Sequence, residues 1–126
     1  MQQRRVHAKP PIYRSARVRG ELLLSPSSRR AIRVGNVTKG DPRIAAEIAG
    51  IAAMKRTAEL LPHCHTIPLT GSSVTVRLAR SGVVAEAVAE AVWRTGVEME
   101  ALVGATVALL TVWDMVKYLE KNERGQ

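Results

Sequence analysis

Two alternating segments joined by a short turn decide most of what this sequence can fold into. Apolar and polar side chains alternate over residues 74–79, and Ser81-Gly82 can turn the chain back. The returning segment, residues 83–93, is rich in alanine and glutamate and would suit a helix by propensity alone. We predict a strand instead, because the hairpin pairs this segment with its neighbour and its apolar side chains, from Val83 to Trp93, then share one side.

An earlier segment has the same period of two. Over residues 12–24 one side carries the apolar residues Ile12, Ala16, Val18, Leu22 and Leu24. This pattern predicts a half-buried strand that ends at Ser25-Pro26-Ser27-Ser28. The basic stretch that continues to Val34 has no clear period, and residues 35–40 are predicted to form a loop.

Two helices are predicted from their N-terminal signals. Asp41-Pro42 begins the first, since Asp caps helices and Pro suits the first turn, and this helix is expected to end near Leu60. One of its faces is apolar and consists of Ile44, Ile48 and Ile51. Thr95-Gly96-Val97-Glu98 matches the Thr-x-x-Glu capping box, so a long second helix should run to about Tyr118 or beyond.

The order strand, helix, hairpin, helix predicts an α+β fold in which helices pack on one face of an antiparallel sheet. The 126 residues suit a single domain, with residues 1–11 expected to be flexible and residues 121–126 to form a polar tail. Small side chains must build the core, because aromatic residues make up 3% of the sequence and Phe is absent. We therefore expect the chain to bury further surface by self-association.

Composition also narrows the setting and the partner. The single cysteine, Cys64, excludes an intramolecular disulfide and favours a cytoplasmic protein. The longest apolar run, residues 101–113, is too short to span a bilayer, so no membrane anchor is expected. A formal net charge of +8 favours a negatively charged partner: nucleic acid, anionic lipid or a phosphorylated metabolite. Because the sequence shows neither stacking aromatic residues nor a zinc framework, we expect a phosphorylated metabolite and no nucleic acid.

Three features could carry chemistry. His63-Cys64-His65 puts two imidazoles on one side of an extended segment, but the further ligands of a metal site are missing, so no metal is expected. These histidines are then either local hydrogen-bonding groups or acid/base groups. Asp114 and Lys117 lie one helical turn apart and can pair, and Lys55 continues the apolar face of the first helix. A surface salt bridge and a cation near a helix C-terminus would explain these residues equally well.

Five stretches of the sequence together resemble a known family. They are Lys39-Gly40-Asp41, residues 48–57, residues 61–65, residues 94–102 and residues 110–117. Their order and spacing resemble those of the cyclic pyranopterin monophosphate synthases, the MoaC family of molybdenum cofactor biosynthesis. The strings T-G-V-E-M-E-A-L and D-M-x-K are the most specific of the matches.

The resemblance implies a ferredoxin-like α+β fold and a lyase that needs no cofactor. Its reaction converts 3′,8-cyclo-7,8-dihydroguanosine triphosphate to cyclic pyranopterin monophosphate with loss of pyrophosphate. The assembly implied is a homohexamer, a trimer of dimers, with each site between subunits. The resemblance places in that site Arg14, Lys39, Lys55, His65, Glu98, Met99, Glu100, Asp114 and Lys117, with His63 and Cys64 as neighbouring substrate contacts.

Expected roles follow from charge and chemistry. Arg14 and Lys39 suit the phosphates, because a cationic lining offsets the charge of the leaving pyrophosphate. Asp114 and Lys117 suit proton transfer, with the carboxylate orienting the ammonium. Intermediates would be stabilised or protonated by Lys55 and His65, and the purine-derived ring would be held by Glu98, Met99 and Glu100.

The sequence also departs from the family. Family members usually carry Leu in place of His63, and many continue past the position of Gln126 into an extension ending in Gly-Gly-Lys-Ser-Gly. A chain without that extension is expected to close less tightly over its substrate. Two alternatives therefore remain open at the level of sequence: a non-catalytic homologue acting as a binding or scaffold protein, and a basic nucleic-acid-binding module.

Overall fold

The computed structural model describes residues 10–121, which form three strands and four helices. The strands are β1 (Ile12–Leu23), β2 (Gly71–Ala79) and β3 (Gly82–Trp93). The helices are α1 (Pro26–Val34), α2 (Pro42–Met54), α3 (Thr57–Leu60) and α4 (Glu98–Glu120). Most of the segments predicted to be flexible (1–11) or a polar tail (121–126) lie outside the described residues.

The three strands form one antiparallel sheet in the order β1-β3-β2. β3 is the central strand and pairs along its full length with β1, and with β2 across the predicted hairpin. Its alternate alanines, Ala85, Ala87, Ala89 and Ala91, are completely buried. The strand prediction for this segment is therefore confirmed: pairing on both edges outweighs the helix propensity of alanine and glutamate.

Helices α2 and α4 cover one face of this sheet and pack against each other. The buried face of the sheet carries Val74 and Val76, whereas Thr75 and Arg77 on the opposite face are exposed. An antiparallel sheet with its helices on one face confirms the α+β fold class. Within the described residues, the element order follows a ferredoxin-like β-α-β-β-α sequence if α1 to α3 are taken as one helical connection.

Helix α1 occupies the basic stretch in which the sequence showed no clear period. The side chain of Ser25 caps it by accepting a hydrogen bond from the backbone N–H of Ser28, and Pro26 sits in the first turn. The helix ends at Gly35, which adopts a left-handed conformation. The same Ser-Pro pair that ends the strand therefore also begins a helix.

Two details of the helix predictions are wrong. The first predicted helix ends at Met54 and not near Leu60, because the chain breaks at Lys55 and Arg56 before the single turn of α3. The predicted capping box does not form: Val97 is the N-cap residue, Glu98 is already the first helical residue, and no side chain caps the helix. The acidic residues Glu98 and Glu100 still favour this end of α4 electrostatically, as they lie at the positive end of the helix dipole.

Two of the three isoleucines on the apolar face of α2 do not pack into the core of the chain, whereas Ile51 is partly buried against it. Ile44 is 60% exposed and Ile48 is 66% exposed. The face that packs on α4 and the sheet instead carries Ala46, Gly50 and Met54. At Gly50 an added Cβ would lie 2.8 Å from the backbone carbonyl oxygen of Gly104, so α2 and α4 approach too closely for larger side chains.

Helix α4 is long and apolar enough to resemble a membrane-spanning helix by length and composition alone. Half of that helix window is buried inside the chain, where α4 packs against α2 and the sheet. A central helix of a globular core has the same properties, and this is the role that α4 has in the described fold.

Candidate active site

The N-terminal end of α4 meets the segment that follows α3. Five of the predicted site residues line a shared cavity there, and we call them the N-terminal cluster: His63, Cys64, His65, Met99 and Glu100. Ile67, Thr95 and Gly96 complete a cavity of about 160 Å³. The chain reaches this geometry through the tight turn after α3, in which the backbone N–H of Cys64 donates to the carbonyl of Leu61 at 3.0 Å.

Glu100 is the most buried charged group of the N-terminal cluster, with 4% of its surface exposed. This burial raises the pKa of its carboxyl, and the nearby charge of Glu98 raises it further, while a hydrogen bond from its own backbone N–H partly offsets both. Burial also raises the pKa of the Cys64 thiol, and the charge of Glu100 adds to that effect. The site therefore favours protonated forms of its acid and its thiol.

Glu98 and Arg14 border this cluster. The carboxylate of Glu98 folds back over Gly96, at the edge of the cavity. Arg14, on β1, donates from Nε to the carbonyl of Trp93 at 3.2 Å and from Nη2 to the carbonyl of Arg94 at 3.1 Å. Arg14 therefore fixes the chain just before the cavity, a role that the sequence did not indicate.

Lys55 lies at the C-terminal end of α2 and is exposed. It lines a separate cavity formed with residues 67–72, and Ile67 is shared between this cavity and that of the N-terminal cluster. Lys55 is thus a neighbour of the N-terminal cluster, separated from it by one apolar side chain.

The remaining predicted residues lie at the other end of α4. Lys39, from the loop between α1 and α2, faces Asp114 and Lys117 across a cavity of about 230 Å³, and we call these three the C-terminal cluster. The loop turns at Gly40, whose φ of 112° is a conformation that other residues rarely adopt. In the Lys39-Gly40-Asp41 motif, Gly40 therefore forms the turn that presents Lys39, and Asp41 is the N-cap residue of α2.

Charge dominates the C-terminal cluster. Lys117 Nζ lies 2.9 Å from Asp114 Oδ1, which confirms the predicted pair. The hydrogen bond from Lys117, then its charge, and then the charge of Lys39 lower the pKa of Asp114 below its usual value. Asp114 thus stays ionised between two lysines, and the two ammonium groups give the cavity a net positive lining.

Three further residues that were not predicted from the sequence line the same cavity: Thr38, Tyr118 and Lys121. Tyr118 and Lys121 could have been found, because Asp114, Lys117, Tyr118 and Lys121 recur at the i, i+3, i+4 and i+7 spacing of one helix face. Thr38 could not, since its position depends on how the loop folds against α4.

The two clusters cannot form one site within a single chain. Glu100 and Asp114 are fourteen residues apart on α4, roughly 21 Å at the rise of an α-helix. Each cavity is also smaller than the roughly 300 Å³ or more that a drug-sized ligand occupies. Neither cavity alone therefore has the volume usual for a ligand of nucleotide size.

Within residues 10–121 no group of three or more His, Cys, Asp and Glu side chains is arranged to hold a metal ion. His63 and His65 lie instead beside Met99 and the buried carboxyl of Glu100, whose pKa is raised. This donor set suits acid/base chemistry and contacts to an organic ring.

An α+β domain with a cationic cavity at one end of a helix and a cavity lined by acid and imidazole groups at the other suits a small enzyme that processes anionic metabolites. The model of the MoaC family matches residues 3–124, and the chain belongs to this family.

Among similar proteins is a probable cyclic pyranopterin monophosphate synthase of Pyrococcus abyssi, 48% identical over 118 residues, which are 94% of this chain and 74% of the relative. The probable cyclic pyranopterin monophosphate synthase of Pyrococcus furiosus is 47% identical over 94% of this chain and 76% of its own length. That of Methanospirillum hungatei is 46% identical over 96% of this chain and 78% of its own length.

Proposed function

We propose that this chain is a cyclic pyranopterin monophosphate synthase of molybdenum cofactor biosynthesis. It converts 3′,8-cyclo-7,8-dihydroguanosine triphosphate to cyclic pyranopterin monophosphate and pyrophosphate. Family membership supports the reaction, and the observation that carries the assignment to this chain is that each predicted site residue other than Lys55, Glu98 and Arg14 lines one of the two half-site cavities.

The C-terminal cluster binds the triphosphate and moves a proton. Lys39 and Lys117 supply positive charge where the leaving pyrophosphate develops negative charge. The ionised carboxylate of Asp114 holds the ammonium of Lys117 at 2.9 Å and so orients it toward the substrate. Arg14 attracts the phosphates less directly, because two of its N–H groups are already bonded to backbone carbonyls.

The N-terminal cluster holds the purine-derived ring. Glu100, whose carboxyl favours its protonated form, can donate a hydrogen bond to a ring nitrogen or oxygen. His65 lies in the same cavity and suits protonation of intermediates, and Met99 offers an apolar contact to a planar ring. His63, Cys64 and Glu98 complete the contacts around the ring, and Lys55 approaches from the adjoining cavity.

Complete sites form between subunits of a homo-oligomer. The distance along α4 between the two clusters supports this arrangement, because a second copy can bring its C-terminal cluster to the N-terminal cluster of the first. Exposed apolar surface supports it as well: Ile44 and Ile48 on α2, and a groove of about 510 Å³ lined by Leu22, Leu23, Thr106, Leu109, Leu110 and Trp113. We propose a hexamer, built as a trimer of dimers, that works in the cytoplasm.

The deciding experiment incubates the purified protein with the cyclic triphosphate. We expect one pyrophosphate released for each cyclic pyranopterin monophosphate formed, measured by a coupled phosphate assay and by mass spectrometry. Light scattering on the same sample should give a mass several times that of one chain. Tight substrate binding without pyrophosphate release would instead identify a non-catalytic homologue.

A further inference from the structure

We propose that Tyr118 is a positioning residue that holds Lys39 in the C-terminal cluster through two hydrogen bonds to Thr38. The inference rests on the proposed function, because it concerns the phosphate-binding half of that site. Tyr118 does not have to touch the substrate in this role. It acts on the loop of residues 35–40, which carries Lys39 toward Asp114 and Lys117.

The contacts of the Tyr118 hydroxyl are specific to the residue before Lys39. The backbone N–H of Thr38 donates to the Tyr118 oxygen at 3.1 Å, and Thr38 Oγ1 lies 3.2 Å from the same oxygen. A phenol can accept the first bond and donate the second, so both hydroxyls and the backbone N–H are satisfied at once. The pair fixes both the backbone and the side chain of the residue next to Lys39.

This loop has few other anchors. Asn36, Thr38, Lys39 and Gly40 are all exposed, and Val37 is the only buried side chain among residues 35–40. The backbone hydrogen bonds of Asn36 to Ala31 and of Gly40 to Val37 stay within the loop and α1. Within the described residues, both hydrogen bonds shown between this loop and α4 are made by the Tyr118 hydroxyl. An exposed loop with so little buried surface is mobile unless further contacts, such as hydrogen bonds to a helix, hold it in place.

The electrostatic effects of Lys39 indicate that its charge lies close to Asp114 and Tyr118 when the loop is bonded to Tyr118. The charge of Lys39 contributes to the lowered pKa of Asp114, after the hydrogen bond and charge of Lys117. It also contributes to the lowered pKa of Tyr118, after the side-chain and backbone hydrogen bonds with Thr38. Lys39 therefore lies within electrostatic range of both, as a phosphate-binding lysine in this half-site must.

The test is a double-mutant cycle between Tyr118→Phe and Lys39→Ala. Tyr118→Phe keeps the ring and removes only the hydroxyl, and we expect it to lower kcat/KM by about tenfold, since small misplacements of a binding group cost rate. In the Lys39→Ala background the same change should have no further effect, because there is no lysine left to position. Additive losses in the two backgrounds would overturn the inference, since a merely structural tyrosine would act independently of Lys39.

The same cycle is measured on the affinity for inorganic pyrophosphate by calorimetry, which needs no turnover. Coupled losses of affinity without any turnover by the unmodified protein would refute the proposed reaction and keep the role of Tyr118. Normal turnover with independent losses of affinity would keep the proposed reaction and refute the positioning role of Tyr118. If the unmodified protein binds no pyrophosphate, the role of Tyr118 at a phosphate site is also refuted.

The matched control is Tyr13→Phe, the same chemical change at the other tyrosine of the chain. Tyr13 is 61% exposed on β1 and lines neither half-site cavity. It should leave kcat/KM and pyrophosphate affinity unchanged. Thr38→Val, which removes one of the two bonds to Tyr118 and keeps the backbone N–H, should show part of the Tyr118→Phe effect. Full activity of Thr38→Val combined with full activity of Tyr118→Phe would contradict the inference.

Discussion

The two ends of α4 carry carboxyl groups in opposite environments. At the N-terminal end, Glu100 is buried beside a thiol and imidazoles, and the pKa of its carboxyl is raised. At the C-terminal end, Asp114 is exposed between two lysines, and the pKa of its carboxyl is lowered. The surroundings at the two ends of one helix therefore shift the pKa of a carboxyl group in opposite directions.

This difference indicates how the two half-sites divide the work. Titratable groups whose surroundings push their pKa values apart are suited to opposite roles in proton transfer. The end with the raised pKa suits hydrogen-bond donation to a neutral ring, and the lysine-rich end with the lowered pKa suits phosphates and a moving proton. Since the ends are roughly 21 Å apart on the helix, we propose that the two roles meet between two chains.

The largest effect is expected at the C-terminal end. Lys117→Ala should reduce pyrophosphate release by on the order of a hundredfold or more, because it removes a group acting in proton transfer. The fold should stay intact, since Lys117 lies at the surface of α4 and its salt bridge to the exposed Asp114 contributes little stability. Steady-state kinetics and thermal unfolding of the same preparation measure the two effects.

The control for Lys117→Ala needs to remove a positive charge away from both clusters. Lys121 is unsuitable because it lines the same cavity as Lys117. Arg77→Ala fits better, as Arg77 is exposed on the uncovered face of the sheet, and this variant should keep normal kcat/KM. Normal turnover by Lys117→Ala would mean that the pair of Lys117 and Asp114 is only a solvated salt bridge with no part in catalysis.

The next prediction tests whether the two ends belong to one shared site. His65→Ala disables the N-terminal cluster and Lys117→Ala the C-terminal cluster, so each variant alone should be nearly inactive. Random mixing of the two chains by co-refolding should restore about a quarter of the normal activity, because half the dimers are mixed and each mixed dimer has one unmodified site. If each chain held a complete site, mixing would restore nothing.

The sequence predicted the sheet well, because alternation and turn chemistry are local signals. It failed on α1 because Ser25-Pro26 has two local meanings, a strand breaker and a helix start, and only the fold selects between them. The face of α2 that packs into the core was also not predictable. Hydrophobicity alone favours the isoleucines as the core face, but the close approach of α2 to α4 requires Ala46 and Gly50 there.

The sequence named the residues of the two clusters but did not indicate how they are arranged. The pair Asp114 and Lys117 follows from helix periodicity, and its contact is confirmed. The division into two half-sites could not be predicted, because it depends on where the segments that carry Lys39 and His65 dock on α4. Such docking is set by long-range packing, for which a single sequence holds no periodic signal.

A smaller effect is expected from Glu120→Gln, also at the C-terminal end. The carboxylate of Glu120 accepts hydrogen bonds from the backbone N–H of Ser25 at 3.1 Å and from the hydroxyls of Ser25 and Ser28, and so ties α4 to the start of α1. We expect the variant to lose about 2 kcal/mol of unfolding free energy, since bonds to charged groups are the stronger kind. Urea unfolding at pH 7 measures the loss.

The stability difference between Glu120→Gln and the unmodified protein should depend on pH in the direction set by the pKa shift of Glu120. Burial raises the pKa of Glu120, but the hydrogen bonds from Ser25 and Ser28 together lower it below the usual 4.5. The stability it contributes is therefore present above pH 4.5 and is lost as the pH falls through the lower, folded-state pKa. The gap between the variant and the unmodified protein should narrow in acid. A gap that widened in acid would contradict these hydrogen bonds.

The smallest effect has the opposite sign and concerns the N-terminal end. Glu100→Gln keeps the shape of a buried side chain and removes the cost of ionising it, so we expect it to raise the unfolding free energy at pH 7 by about 1 kcal/mol while lowering turnover. The exposed Glu59→Gln is the matched control and should change neither quantity. Urea unfolding and steady-state kinetics measure the two effects.

The pKa shift of Glu100 is opposite in direction to that of Glu120. Burial, with the charge of Glu98, holds the folded-state pKa of Glu100 above its usual 4.5, so the folded state binds the proton more tightly than the unfolded state. The destabilising effect of ionisation appears as the pH rises through 4.5 and is complete above the folded-state pKa. The stability of Glu100→Gln and of the unmodified protein should therefore converge in acid and separate as the pH rises. Parallel curves across that range would mean that Glu100 is not desolvated, and the contrast between the two ends of α4 would then rest on the lysines alone.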